Sequence, residues 1–304
     1  MQTSREVMRG YASKEVFDKI VDFDSVSEMW EHSVSEYKDD IALSDGGTEY
    51  TYETLNRDVA AYRAVLCGAV SKENARIGLY APNSYAFVKA FLAITTLGHT
   101  AVILPAQLPD AAVLGCSVKF GLDALVYAPS LAEKAKATGE KLPIALLDTE
   151  SKSDTYASSV KCKADTPCVI MFTGGTTGKS KGALLSNAAV MQGTVNGCYG
   201  CSEVFRQRYL LVLPLSHVFG LIRNLLTSLY TGSTLYICQN PKDMFRDIAV
   251  FRPTYLVLVP ALAEMALNLS QKMHKNMLGA DLKYIICGAA PVAPYLIREY
   301  DKLG

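Results

Sequence analysis

Surplus charge is missing from this 304-residue sequence: 30 lysines and arginines balance 30 aspartates and glutamates. A neutral chain without a Lys/Arg cluster lacks the basic footprint of a nucleic-acid binder. Long apolar runs are also missing. A run such as Tyr255 to Ala263 is too short to span a bilayer and is interrupted by Pro260. The first thirty residues are studded with charges, so no signal peptide is visible. There is one tryptophan, there are four histidines, and no internal repeat or low-complexity tract is found. Eight cysteines are present, but Cys198 and Cys201 form a lone C-x-x-C without the second ligand pair of a zinc site. With no export signal, a reducing cytoplasm and free thiols are expected. Cys168, Cys238 and Cys287 lie in apolar strands and read as small buried hydrophobes.

Half of the residues are hydrophobic and a fifth are charged, the balance of an ordinary globular chain. The length suffices for two lobes or one large α/β domain with a sizeable core. Strand and helix patterns alternate. Arg76–Tyr80 reads as a strand, and Asn83 is placed to cap a helix with Phe87, Phe91 and Ile94 on its apolar face. Gly98 suits that helix's C-terminal end. Thr100–Leu104, Ala124–Tyr127 and Ile144–Leu147 read as further strands separated by helices. Later come Tyr209–Leu213, Leu235–Cys238, Tyr255–Val259 and Leu282–Cys287. A helix is predicted from about His217 to near Gly232, and Asn240-Pro241 marks another helix start. This alternation predicts an α/β fold of two lobes, each a largely parallel sheet flanked by helices. The polar stretch Thr149–Asp165 is the expected boundary, giving a first lobe over 1–150 and a second over 151–304.

Residues 168–182, CVIMFTGGTTGKSKG, carry the most information. Cys168–Phe172 reads as a buried strand that empties into three threonines, four glycines and two lysines. Glycines let the backbone turn tightly and aim N–H groups at an anion. Threonine hydroxyls add donors, and Lys181 adds a charge suited to phosphate. A Gly/Thr-rich surface turn without a ligand is the plain alternative, but ordinary turns do not concentrate phosphate donors after a buried strand. The stretch looks like a Walker A loop, G-x-x-x-x-G-K-[ST], but the spacing weakens that alternative. Counting back from Gly178, the first glycine falls on Thr173. Gly182–Leu185 also reads as a short strand, with a cap-like Ser186-Asn187 ahead of the first helix.

The loop resembles the phosphate-binding signature of the adenylate-forming, or AMP-binding, superfamily, [ST]-[SG]-G-[ST]-[ST]-G-x-P-K-G. It reads here Thr173-Gly174-Gly175-Thr176-Thr177-Gly178-Lys179-Ser180-Lys181-Gly182, with Ser180 in the place of the usual proline. That change frees one φ angle and removes no phosphate donor. Other segments follow in the family's order. Thr51-Tyr52-Glu53-Thr54-Leu55 resembles T-Y-x-E-L with the glutamate one position early, and residues 76–109 resemble the family's strand–helix–strand. Leu213–Gly220 (LPLSHVFG) resembles P-L-x-H-x-x-G of acyl-CoA synthetases, and Cys287–Pro291 (CGAAP) resembles the G-[GA]-[AE]-P turn. The resemblance covers roughly residues 22–304.

What the resemblance implies is an AMP-forming acid–thiol ligase of the acyl-CoA synthetase kind. Such an enzyme joins a carboxylate to the α-phosphate of ATP, expels pyrophosphate, and passes the acyl group to CoA. Thr173, Gly174, Gly175, Thr176, Thr177, Gly178 and Lys181 would hold the β- and γ-phosphates, whereas Lys179 is as readily solvated. His217 would line the acyl or thiol side, its alternative being a structural histidine at a helix start. Gly288, Ala289 and Ala290 would wall the adenine and acyl pocket, or form a plain small-residue turn. Lys181 and His217 are thus the candidate catalytic residues, and His32, His99 and His274 read as incidental. ATP, Mg2+ and CoA are the implied cofactors and co-substrates, with the magnesium ligands largely beyond residue 304 and no metal ligand assigned within it. The partners would be these and a small carboxylate, with a carrier-protein thiol possible in place of CoA; no nucleic acid and no membrane span are expected. The family pattern continues with Y-G-x-T-E, a ribose-holding aspartate, a hinge and a C-terminal domain carrying a catalytic lysine. No Y-G-x-T-E occurs here. The chain is therefore expected to be an incomplete N-terminal domain, with the C-terminal domain absent and no activity alone. A carrier-loading adenylation domain and a non-catalytic nucleotide- or acyl-binding domain are the alternatives. The particular carboxylate is not legible, because pocket walls come from scattered residues.

Overall fold

The computed structural model describes residues 9–173 and 181–303. Among them lie twelve strands: β1 (Ile41–Asp45), β2 (Thr48–Thr51), β3 (Arg76–Tyr80), β4 (Thr100–Leu104), β5 (Ala124–Tyr127), β6 (Ala145–Asp148), β7 (Pro167–Thr173), β8 (Lys181–Ser186), β9 (Arg208–Leu211), β10 (Thr234–Ile237), β11 (Tyr255–Leu258) and β12 (Tyr284–Cys287). They fall into two compact units that are discontinuous in sequence. The first draws its described residues from 1–20, 40–49 and 197–304, and the second from 21–39 and 50–196.

The second unit is built on a six-stranded sheet of order β6-β5-β3-β4-β7-β8. β3, β4, β5, β6 and β7 are parallel, and β8 runs antiparallel to β7 at the edge. β4 is buried along its whole length, as a parallel strand covered on both faces must be. The helix Tyr85–Thr96 covers it and is itself buried from Ala86 to Thr96. Asn83 does not cap this helix. Ser84, one residue later, does so, its Oγ accepting from the Phe87 N–H at 3.1 Å. Gly98, at φ +75°, ends the helix as its sequence position predicts.

The polar stretch 149–165 lies within this unit and straps its helices. The Ala157 N–H donates to the Ala60 carbonyl at 3.0 Å and the Val160 N–H to the Thr96 carbonyl at 2.8 Å. Buried Arg63 ties the strap down, its Nε donating to the Ala157 carbonyl at 2.7 Å and its Nη1 to Thr96 Oγ1 at 3.1 Å. The Thr96 carbonyl can take this bond because it lies in the last turn of its helix, where carbonyls lack an intrahelical partner.

The first unit has a sheet of order β12-β11-β9-β10-β1-β2, in which β1, β10, β9, β11 and β12 are parallel. β1 and β2 are joined by Gly46 and Gly47, both at positive φ, the conformation a two-residue hairpin loop demands. One face carries a core of Leu210, Leu256, Leu258, Met244, Ile248 and their neighbours. Asn240 accepts from the Lys242 N–H at 3.1 Å and Pro241 opens the turn into the helix Met244–Phe251, as its sequence predicts. The helix expected from His217 is wider than an α-helix: Phe219–Leu226 is π-helical, Thr227–Tyr230 is α, and Gly232 at φ +65° follows.

All eight cysteines are free. Cys168 and Cys238 are buried, whereas Cys287 is half-buried because β12 lies at a sheet edge. No helix among the described residues is long and apolar enough to cross a membrane.

Candidate nucleotide and acyl site

The phosphate-loop sequence is held at its two ends by β7 and β8. Thr173 pairs with Lys181 and Phe172 with Gly182 in antiparallel register. Gly174, Gly175, Thr176, Thr177, Gly178, Lys179 and Ser180 lie outside the described residues, as does the side chain of Thr173. Beyond the loop the chain enters a strand. Lys181 begins it, and the next helix starts only at Asn187, with Ser186 Oγ accepting from the Ala189 N–H at 3.3 Å. A Walker loop opens directly into a helix, so that reading fails on structure as well as spacing. Gly182 has a packing reason of its own. A Cβ there would stand 2.5 Å from Phe120 Cε1 and 3.0 Å from Ile170 Cγ2. Phe120 is fixed in turn by an edge contact with Phe172, ring centroids 5.3 Å apart. The root of the loop is thus a packed aromatic pair beneath an obligatory glycine, and Lys181 stands exposed beside it.

In the first unit, the segment after β9 turns at Pro214 and presents His217 at the surface. The His217 N–H donates to the Pro214 carbonyl at 3.1 Å, and its own carbonyl accepts from the Leu221 N–H at 2.9 Å. Gly220 is what makes this turn possible, because a Cβ there would lie 2.4 Å from the Pro214 carbonyl oxygen. The Gly288 turn is pinned to the end of β11, its N–H donating to the Leu258 carbonyl at 3.2 Å. Ala289 takes φ +65°, a left-handed conformation that costs a non-glycine residue about 1 kcal/mol or more. A Cβ on Gly288 would stand 3.0 Å from Phe219 Cζ. Phe219 therefore lies on the open face of Gly288 and joins the histidine element to the turn. Sequence reasoning passed over Phe219, although an aromatic residue two positions after His217 within LPLSHVFG was the available signal. His217 and Gly288–Ala290 belong to the first unit, whereas Lys181 and the loop strands belong to the second.

Two further observations bear on chemistry. His99 is not incidental: it is buried, and its Nδ1 accepts from the Ala75 N–H at 3.2 Å. Among the described residues no group of three or more His, Cys, Asp or Glu side chains is placed to hold a metal ion.

Comparison with known proteins fits this geometry. The model of the AMP-binding enzyme family matches residues 30–304, and the chain belongs to that family. It is 27% identical over 266 residues to a feruloyl-CoA synthase of an Amycolatopsis species, across 85% of this chain and 53% of that protein. The chain spans about half the length of the first curated relatives it matches. The N-terminal domain of FACL13 from Mycobacterium tuberculosis superposes with a TM-score of 0.79 at 22% identity, over 92% of this chain and 73% of that one. The O-succinylbenzoate coenzyme A synthetase MenE of Bacillus subtilis, solved with AMP, superposes with a TM-score of 0.76 at 20% identity, over 91% and 71%. These likenesses establish the fold: two largely parallel sheets flanked by helices, as in the N-terminal domains of adenylate-forming enzymes.

Proposed function

We propose that this chain supplies the ATP and acyl portion of an AMP-forming acid–thiol ligase. A carboxylate oxygen attacks the α-phosphorus of ATP, the bond to the bridging oxygen breaks, and pyrophosphate leaves. The acyl carbon of the adenylate is then attacked by a thiol, and AMP leaves. Both steps need negative charge stabilised without solvent reorganisation, which preorganised N–H groups, hydroxyls and a lysine provide. Thr173 to Gly178 and Lys181 are assigned to the β- and γ-phosphates, His217 to the acyl or thiol side, and Gly288, Ala289 and Ala290 to the adenine and acyl wall. Phe219 is added to that wall because it lies on Gly288. The observation that carries the reading is the loop T-G-G-T-T-G-K-S-K-G rooted in an antiparallel pair of strands rather than opening a helix.

Magnesium would neutralise the leaving pyrophosphate, but the described residues offer no ligand cluster for it. The thiol is assigned to CoA, the co-substrate named in the feruloyl-CoA synthase match. A second reading, delivery to a carrier-protein thiol, is favoured by a 26% match over 289 residues to a hybrid PKS-NRPS synthetase of Penicillium oxalicum. The test is carboxylate-dependent exchange of labelled pyrophosphate into ATP. A longer protein containing this chain should exchange, and the 304-residue chain alone should not. Exchange by neither, together with no binding of ATP by either, would remove the proposal.

A further inference from the structure

Cys198 and Cys201 have no part in that reaction, yet they sit in a closely fitted corner of the first unit. Tyr209, Tyr255 and Tyr284 share one register across β9, β11 and β12. Their rings form a ladder with centroids 4.8 Å apart at each step. The loop 198–205 closes on this ladder. The Tyr255 hydroxyl donates to the Glu203 carbonyl. The Ser202 N–H donates to the Tyr284 hydroxyl at 3.2 Å. Cys198 is wholly buried and Cys201 is 5% exposed.

An N-terminal arm, residues 9–20, runs along the same loop. The Gly200 N–H donates to the Tyr11 carbonyl at 2.6 Å, Ser13 Oγ donates to the Ser202 carbonyl at 3.3 Å, and the Lys19 ammonium stands 5.8 Å from the centre of the Phe205 ring. The contacts advance in step along both segments. The arm contains a 3-10 turn, Arg9–Tyr11, and one short α-helix, Lys14–Lys19, capped by Ser13. Val16 and Ile20 are its buried apolar anchors. It precedes the residues that the AMP-binding family model matches. Val16 and Ile20 are the arm's only buried side chains, and against the chain entropy of a dozen ordered residues that small burial places it at the low-stability end of the molecule.

We propose that residues 9–20 are a detachable latch over a cryptic thiol pair, and that Cys198 and Cys201 become a modification site for soft electrophiles when the arm undocks. With the arm docked, burial pushes the Cys198 thiol up to about 12 and raises that of Cys201, which keeps both unreactive. Opening the corner hydrates the thiols while leaving Arg223 nearby, whose charge favours the thiolate at both. Addition to an activated alkene then balances simply. Sulfur bonds to one alkene carbon, and the thiol proton ends on the other.

The experiment is timed alkylation of the native full chain with N-ethylmaleimide, each cysteine followed by peptide mass spectrometry. Exposed Cys67 reports the open limit, and Cys238, buried at the end of β10 in the same unit, reports unfolding of that unit. In the wild-type chain Cys201 should label well behind Cys67. In Val16→Asp it should label at least tenfold faster than in wild type while Cys238 stays protected. Labelling of Cys201 at the wild-type rate in Val16→Asp would overturn the latch. A rise that only keeps pace with Cys238 marks unfolding of the unit, and Ser13→Ala then decides. That variant loses only the cap and the Ser202 bond, and it should accelerate Cys201 several-fold over Cys238. If it does not, the latch is rejected.

Discussion

In the second unit the central strand β4 is buried along its whole length, and its covering helix Tyr85–Thr96 is buried on every side from Ala86 onward. In the first unit β12 is only half-buried at each residue, and the nearby helix Pro294–Asp301 exposes Ile297 and Tyr295. Both sheets are largely parallel, and the contrast follows strand position: β4 is interior and β12 an edge strand, and the second unit's own edge strand β6 is half-buried as well, whereas the first unit's interior strand β11 is fully buried. Where cover is complete, each apolar side chain adds its full transfer free energy, about 1.5–3 kcal/mol for a large residue. Where it is partial, local opening is less costly. The phosphate-loop hairpin grows from the covered sheet, with β7 paired directly to β4. The Gly288 turn grows from the half-covered edge. The strands at the roots of these two segments thus differ in burial, each within its own unit.

The largest effect expected from this contrast is on stability. Phe91→Ala removes a wholly buried ring in the second unit and should cost about 3–5 kcal/mol, whereas Ile297→Ala should stay within about 0.5 kcal/mol. Urea unfolding of the two variants checks this, and comparable losses would erase the distinction. Next comes Lys181→Ala in a longer, active protein. Losing a charge-assisted phosphate contact of about 1.5–3 kcal/mol should lower adenylation roughly ten- to a hundredfold, with the melting temperature unchanged. A wild-type rate would detach Lys181 from the phosphates. His217→Ala, measured in parallel, should alter acyl or thiol kinetics more than the apparent affinity for ATP.

The two packing glycines sharpen the comparison further. At Gly220 the obstacle is the backbone oxygen of Pro214, which cannot move aside, whereas at Gly182 it is the Phe120 ring. Gly220→Ala should therefore reach the upper end of the overpacking range of about 1–3 kcal/mol, and Gly182→Ala the lower end. Thermal melts that reverse the order would show that the ring, not the backbone, is the rigid partner.

The smallest effect is on pH dependence and belongs to the second unit. Burial pushes the His99 imidazole below its ordinary value of 6.5, the charge of Asp123 opposing it weakly. The neutral form, which accepts the Ala75 N–H, is the folded one. Its contribution is complete above pH 6.5 and is lost as the pH falls through the lowered folded value. His99→Gln, which keeps an acceptor but does not titrate, should flatten stability over that interval. An unchanged profile would show that other groups set it.

Much of the fold was legible because its signals are local. Asn240-Pro241, Ser186-Asn187 and Gly98 each mark a helix end through bonds or φ angles only a few residues apart. β4, β5 and β7 announced themselves as short apolar runs. The site was legible in part for the same reason: the phosphate loop is contiguous. The rest depended on distant partners. Residues 149–165 read as an inter-lobe boundary because they are polar, but their role as a strap needs Arg63 and the carbonyl of Thr96. His99 read as partnerless because its partner, the Ala75 N–H, lies more than twenty residues upstream. Cys198 and Cys201 read as a stray motif because the loop that carries them packs on a tyrosine ladder from three separate strands and bonds an arm from the start of the chain.

By itself, then, the sequence determined the α/β alternation, the loop between β7 and β8, its departure from Walker A spacing, and membership of the AMP-binding family. Periodicity, capping and turn chemistry act within one element and survive reading in one dimension. Only the tertiary structure decided which segments make up each unit, that Phe219 lies on Gly288, and why Gly182 and Gly220 admit no side chain. Those facts rest on which atoms come within van der Waals distance across tens or hundreds of residues, and chain topology sets that distance rather than local preference.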